Sequence, residues 1–144
     1  MGFNRANIRS AVAALCVLAS PNGWAELAVV VSGDTPVESL PASQLESVFL
    51  GRSSYLPGEL RAVPLDQAEG RDIREAFYRD ILGRSPAQIK AHWSKILFTG
   101  RGRPPRQVAN DEEVKRLIAA TPGMIGYIDA ASLDGSVKAL ELVP

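Results

Sequence analysis

The chain has 144 residues, of which 46% are hydrophobic and 22% charged, and these values fit one compact domain with an ordinary core. Sixteen basic residues balance sixteen acidic ones, which excludes the strongly basic composition of a nucleic-acid-binding protein, so we expect no nucleic acid partner. His92 is the only histidine, and the only cysteine, Cys16, lies in the N-terminal 25 residues that we expect to be removed, so neither a zinc cluster nor a Cys-His catalytic pair can form and we expect no metal, no cofactor and no enzyme activity.

Residues 1–25 have the layout of a secretory signal peptide. Arg5 and Arg9 precede an apolar run over residues 11–19, and the small residues Gly23 and Ala25 suit a cleavage site after Ala25. Cleavage would leave a periplasmic domain, residues 26–144, with 14 basic and 16 acidic residues, because both arginines and no acid are removed. A retained N-terminal membrane anchor is the alternative, although the apolar run is shorter than the roughly 20 residues of a spanning helix.

The first half of residues 26–144 alternates between strand and helix patterns. The β-branched run over residues 27–32 predicts a strand buried on both faces, at the centre of a sheet. A helix is predicted with Pro41 at its first position, and a second strand over residues 61–65, where Pro64 favours an end or edge position. Strand, helix and strand in this order predict a right-handed parallel crossover.

Three helices and two strands are predicted in the second half. The helices cover residues 71–82, a segment capped by Ser85 and Gln88, and a segment capped by Asn110. The final strand segments are 124–128 and 137–143, which completes an open α/β sheet. Several large side chains are expected in the core, and Tyr78 and Tyr127 are expected to pack with their hydroxyls at the surface; the core set is Phe49, Phe77, Ile89, Trp93, Ile96, Leu97 and Phe98.

Three ordered segments resemble the phosphate-binding proteins of ABC transporters, which are type II periplasmic binding proteins. The segments are residues 45–51, 63–78 and 122–128, and Trp93 followed by Phe98-Thr-Gly100 adds a fourth point of similarity. The resemblance implies an α/β fold with an open, mostly parallel sheet flanked by helices. Family members close two lobes around the ligand, whereas residues 26–144 suffice for a single lobe and thus for half of a site.

The resemblance places the family's oxyanion loop at Gly70, where the helix that follows would offer backbone N–H groups. The usual hydroxyl residues are absent from this loop, while Arg71 and Arg74 could bind an anion that Glu69 and Asp72 would repel. A self-neutralising, solvated helix start is the alternative interpretation.

Two further segments carry residues suited to anion binding. Ser32, Gly33 and Thr35 follow the first strand and could supply N–H and hydroxyl donors, or form a simple turn. The loop with Arg101, Arg103 and Arg106 could form a patch for an anion or an acidic partner, or remain a solvated loop.

These observations leave two functional hypotheses. The first is an exported, non-catalytic protein that binds inorganic phosphate or another oxyanion. The second is a periplasmic interaction protein that kept the lobe as a scaffold, lost the ligand site and docks an envelope or membrane protein.

Overall fold

The computed structural model describes residues 26–144, so the expected signal peptide lies outside the described residues. These residues form an α/β domain whose sheet has five strands in the order β6-β5-β7-β1-β8. The strands of this sheet are β1 (Leu27–Val31), β5 (Val63–Gln67), β6 (Arg106–Val108), β7 (Met124–Asp129) and β8 (Lys138–Ala139). Two short ladders lie outside it: β2 (Ser39–Pro41) pairs with β9 (Glu141–Val143), and β3 (Tyr55–Leu56) pairs with β4 (Leu60–Arg61).

The sheet is mostly parallel. Strand β5 runs parallel to both β6 and β7, whereas β1 runs antiparallel to both β7 and β8. Four strands therefore point one way and β1 points the other. The expected parallel crossover from β1 to β5 is wrong, because β7 lies between them and β1 has the opposite direction. Strand β1 is interior as expected, but second from an edge rather than central.

Helices cover both faces of the sheet. They are α1 (Ala42–Phe49), α2 (Asp72–Ala76), which continues as a π-helical segment (Phe77–Ile81), α3 (Pro86–Thr99) and α4 (Asp111–Ala120). Val29 and Val31 belong to a core cluster that includes side chains of α1, α2 and α3, while Val30 belongs to a second cluster that includes side chains of α4. This alternation explains why β1 is a continuous apolar run: it has no solvent face.

Several sequence predictions of helix ends and core residues are confirmed. Ser85 and Gln88 form the reciprocal capping box of α3, and the Asn110 side chain accepts a hydrogen bond from the Glu113 N–H to cap α4. Phe49, Phe77 and Trp93 are buried, and the Phe77 ring stacks on Tyr127 with a centroid distance of 3.9 Å.

Two core predictions in α3 are wrong. Leu97 is 54% exposed and Phe98 is 93% exposed. Phe98 is five residues after Trp93, which places it about 140° around the helix from the buried face.

One strand prediction needs correction: the segment 137–143 is divided into β8 and β9, which pair with different strands. The prediction for Pro64 is confirmed in its first alternative, an end position. Strand β5 is interior, but Pro64 lies at its beginning, before β6 joins at Leu65, so its missing N–H removes no bond to β6.

Among residues 26–144 we find no helix that is long and apolar enough to cross a membrane.

Candidate functional site

The carboxyl ends of β5, β6 and β7 meet at one edge of the sheet, where open α/β sheets usually bind ligands. Three connections begin there: the loop from β5 to α2, which contains Gly70 and Arg71, the turn from β6 into α4, and the 3₁₀ turn after β7, Ala130–Ser132. Gly70 has a φ of +89°, a backbone conformation that favours glycine, and space lies open around it. We call this region the carboxyl edge.

Gln67, the last residue of β5, links the polar side chains of the carboxyl edge. Its side-chain Oε1 accepts a hydrogen bond from Arg71 Nη1 at 2.8 Å, and its Nε2 donates to Asp111 Oδ1 at 2.7 Å and to the Tyr127 carbonyl at 3.0 Å. The side chain is fully buried and every polar atom of its amide has a partner. Gln67 therefore joins a cation and an anion in a fixed arrangement.

Arg71 is held in place but not saturated. Its Nη1 also donates to the Ala109 carbonyl at 2.8 Å, while its Nε and Nη2 have no protein partner within residues 26–144. Nε and Nη2 form the side of the guanidinium that binds an oxyanion with two parallel hydrogen bonds. The residue is half-buried, so part of its surface remains accessible to solvent. The geometry thus leaves one anion-binding fork at the carboxyl edge.

An internal carboxylate competes for the donors of this edge. Asp111 Oδ2 accepts hydrogen bonds from the Asp129 N–H at 3.1 Å and from the Ser132 hydroxyl at 2.8 Å, in addition to the bond from Gln67 to its Oδ1. Glu69 and Asp72 add two exposed negative charges nearby. Asp111 therefore occupies donors that a bound anion would otherwise use, and the three acids repel an anion.

Arg74 does not reach the carboxyl edge. Its Nε lies 3.4 Å from Asp66 Oδ2, its guanidinium stacks over the Tyr78 ring at 5.0 Å, and only 11% of its side chain is exposed. Asp66 is buried as well and also accepts hydrogen bonds from the hydroxyls of Tyr78 and Tyr127 and from the Gln67 N–H. Arg74 is therefore the counter-ion of a buried carboxylate.

The Asp66 network corrects the expectation that the hydroxyls of Tyr78 and Tyr127 lie at the surface. Both hydroxyls are buried, and burial together with the neighbouring Asp66 carboxylate raises the pKa of both tyrosines far above its ordinary value. The sequence signal that could have revealed this network is Asp66 itself, an acid inside an apolar strand, which requires buried donors.

Ser32, Gly33 and Thr35 lie at the opposite edge of the sheet. Because β1 is antiparallel, its last residue, Val31, pairs with Ile125 near the start of β7. The two groups of candidate residues are therefore separated by a strand length, about 17 Å. The structure does not bring them together.

The Ser32–Thr35 segment is a hydrogen-bonded turn. The Thr35 N–H donates to the Ser32 carbonyl at 3.0 Å, and Lys138 Nζ donates to the Thr35 carbonyl at 2.6 Å and to Glu38 at 2.8 Å. The Thr35 hydroxyl is buried without a hydrogen-bond partner among the described residues. Gly33 is exposed at the tip of the turn.

Two surface cavities lie elsewhere on the domain. One of about 280 Å³ is bordered by Glu75, Arg79 and Arg84, and one of about 530 Å³ by Tyr55, Leu56 and Glu59. Neither contains a residue of the carboxyl edge. Among the described residues there is also no cluster of three or more histidine, cysteine or acidic side chains arranged to hold a metal ion.

No model of a known protein family matches this chain, and no curated protein matches it. Solved structures do. The chain is similar to an ABC-type phosphate transport receptor from Vibrio cholerae, with 21% identity and a TM-score of 0.63. It is also similar to PstS from Borrelia burgdorferi, with 12% identity and a TM-score of 0.61.

A third similar structure, assigned to the phosphate ABC transporter substrate-binding proteins and solved with bound phosphate, comes from Clostridium perfringens and shows 19% identity and a TM-score of 0.64. Each match covers 81% of this chain but only 44–46% of the other one, so the chain spans less than half the length of these structures. The similarity confirms the fold class: an α/β domain that corresponds to one lobe of a periplasmic binding protein.

Proposed function

We propose that this chain is an exported, non-catalytic binding protein that holds a small oxyanion, with inorganic phosphate as the first candidate, at the carboxyl edge. The observation that carries the proposal is the Arg71 guanidinium, fixed by Gln67 and the Ala109 carbonyl with its Nε and Nη2 left without a partner in the described structure. The similar folds of a phosphate transport receptor and of a protein with bound phosphate support the choice of ligand.

Binding at this edge should be weak. The edge is open to solvent, Asp111 occupies neighbouring donors, and a single guanidinium fork supplies the main attraction. A dissociation constant in the millimolar range corresponds to about −4 kcal/mol, which a bidentate arginine can supply. Micromolar binding would need roughly twice that free energy, and thus a second lobe, a dimer or a partner.

The test is a calorimetric titration of the protein with phosphate, and with sulfate, at constant ionic strength. We expect Arg71→Gln to weaken phosphate binding about tenfold or more, because it removes the charged fork. Arg52→Gln is the matched control, since Arg52 is an exposed arginine on the loop after α1, outside the carboxyl edge. Arg74→Ala is unsuitable, because it would leave the buried Asp66 without its counter-ion and destabilise the fold.

Asp111→Asn provides the converse test. Removal of one nearby negative charge should strengthen phosphate binding about three- to tenfold if the anion lies at the carboxyl edge. Equal phosphate binding by wild type, Arg71→Gln and Asp111→Asn would show that this edge is not the site. Micromolar affinity in a proven monomer would contradict the half-site argument.

The second candidate function is a periplasmic scaffold that docks an envelope or membrane protein. It is favoured by two observations: Asp111 takes donors at the carboxyl edge that an anion would need, and the loop lacks hydroxyl residues. If no binding is detected at tens of millimolar phosphate (about −2 kcal/mol or weaker), the scaffold function replaces the first proposal.

A further inference from the structure

The carboxyl end of α3 exposes two large apolar side chains that the core does not use. Phe98 is 93% exposed and Leu97 is 54% exposed, whereas Trp93 on the same helix is 7% exposed. Other large apolar residues with high exposure, Tyr55 and Val63, lie singly on other elements. Two adjacent exposed apolar side chains at the end of a helix form a protruding apolar tip.

Positive charge is concentrated around this tip. Residues 81–110 contain six basic residues and no acidic one, whereas the rest of the described chain has 8 basic and 16 acidic residues. Arg84 pairs with Glu46 at 2.7 Å. The other five are exposed and have no ion pair within residues 26–144; they are Lys90, Lys95, Arg101, Arg103 and Arg106.

The backbone places these cations beside the apolar tip. Gly100 ends α3 in a left-handed conformation, and the Arg101 N–H donates to the Ile96 carbonyl at 3.2 Å, which folds the chain back against the last turn. Gly102 lies next to Ile96, since a Cβ there would be 3.5 Å from Ile96 Cγ2. Within α3, Lys95 precedes Phe98 by three residues and Lys90 precedes Leu97 by seven, so each cation shares a side of the helix with an apolar neighbour.

We propose that this surface, formed by Lys90, Lys95, Leu97, Phe98, Arg101 and Arg103, docks the protein onto an anionic lipid bilayer. A bilayer accepts an aromatic ring at the level of its headgroups without a complementary pocket, and each nearby cation is attracted to anionic lipid. A stable protein interface instead buries about 800 Å² on each partner around a packed centre, far more than two side chains provide. The net negative charge of the rest of the domain turns the other surfaces away from the bilayer and sets the orientation.

The test is flotation of the protein with vesicles of phosphatidylcholine, with and without about a third of phosphatidylglycerol. The protein is expressed from its full reading frame and recovered from the periplasmic extract, and variants are compared with wild type only in the same N-terminal form, so that residues 1–25 cannot account for a difference. We expect binding to the anionic vesicles alone, with a steep loss as salt is added.

Two variants separate the apolar and the electrostatic contributions. Phe98→Ser should weaken vesicle binding about tenfold, because a buried aromatic ring is lost. The double variant Arg101→Gln/Arg103→Gln should weaken it about thirtyfold, because two cations near the lipid surface are lost. The matched controls Tyr55→Ser and Arg52→Gln/Arg61→Gln change an exposed aromatic residue and two exposed arginines on other elements and should leave binding unchanged.

Three results would overturn the proposal. The first is equal binding to vesicles with and without phosphatidylglycerol, and the second is an equal loss in the controls. The third is binding of soluble polyglutamate, or a Phe98-dependent dimer in sedimentation, without binding to anionic vesicles; these would identify an acidic protein or a second copy as the partner. Unchanged thermal unfolding of Phe98→Ser, expected for so exposed a side chain, verifies that lost binding does not reflect lost folding.

Discussion

Helices α3 and α4 are alike in their N-terminal caps and buried apolar residues but differ in the pairing of their charged side chains. Each has a capped N-terminus and a buried apolar stripe, which includes Trp93 in α3 and Ile118 in α4. On α4, the buried Lys115 pairs with Glu112 and Asp134, and the exposed Arg116 lies 3.9 Å from Glu113. On α3, the exposed Lys90 and Lys95 have no ion pair within residues 26–144, and Phe98 is exposed. The cations of α4 thus have acidic partners within the described domain, whereas the exposed cations of α3 have none among residues 26–144. A binding partner is therefore expected on α3.

The largest expected effect separates the two faces of α3. Trp93→Ala should lower the free energy of unfolding by about 3–5 kcal/mol, because it opens a cavity in the core, whereas Phe98→Ala should change it by less than about 0.5 kcal/mol. Chemical denaturation of both variants beside wild type measures the two values. A loss below about 1 kcal/mol for Trp93→Ala would contradict the buried position of this side chain.

Helix starts and the inner stripes were predictable from sequence because they depend on local chemistry. Ser85 and Gln88 predict the cap of α3, and the β-branched run at 27–32 predicts a strand covered on both faces. Phe98 was misassigned because apolar character alone does not reveal that a helix end carries a side chain away from the core. Only its angle around the helix does.

The candidate site was less accessible to sequence reasoning, since it depends on strand direction and long-range pairs. The antiparallel course of β1 separates Ser32 and Thr35 from Gly70, and nothing in a short β-branched run encodes direction. Similarly, Arg71 and Asp111 meet through Gln67 although 40 residues separate them in sequence, and Arg74 is drawn inward by Asp66. Local spacing located Gly70 and Arg71 but gave no indication of their partners.

A smaller effect compares the cations of the two helices. Lys115→Met removes the Nζ that lies 2.8 Å from Asp134 and 3.0 Å from Glu112, while Met retains the packing of the buried stem. We expect the melting temperature to fall by a few degrees at low salt and the difference to shrink at high salt. Lys95→Met, its counterpart on α3, should leave the melting temperature unchanged, and an equal fall in both variants would remove the distinction between the helices.

The smallest expected effect is the dependence of stability on acidic pH that arises from the ion pair between Lys115 on α4 and Asp134. The hydrogen bond from Lys115, helped by the hydroxyl and N–H of Ser136, holds the pKa of Asp134 well below its usual range. An aspartate whose pKa is depressed by folding contributes stability that is complete above the pKa of the unfolded chain, about 3.9, and declines as the pH falls below it. The melting temperature of Asp134→Asn should therefore lie slightly below that of wild type near neutral pH. This difference in melting temperature should decrease steadily as the pH is lowered past that value. Lys95→Met should show no such narrowing, because Lys95 has no acidic partner among the described residues whose protonation could matter. A difference in melting temperature between Asp134→Asn and wild type that stays constant down to the acid limit of folding would place the origin of the effect in packing or in the Ser136 turn. The pH dependence would then give no support to the electrostatic difference between α3 and α4.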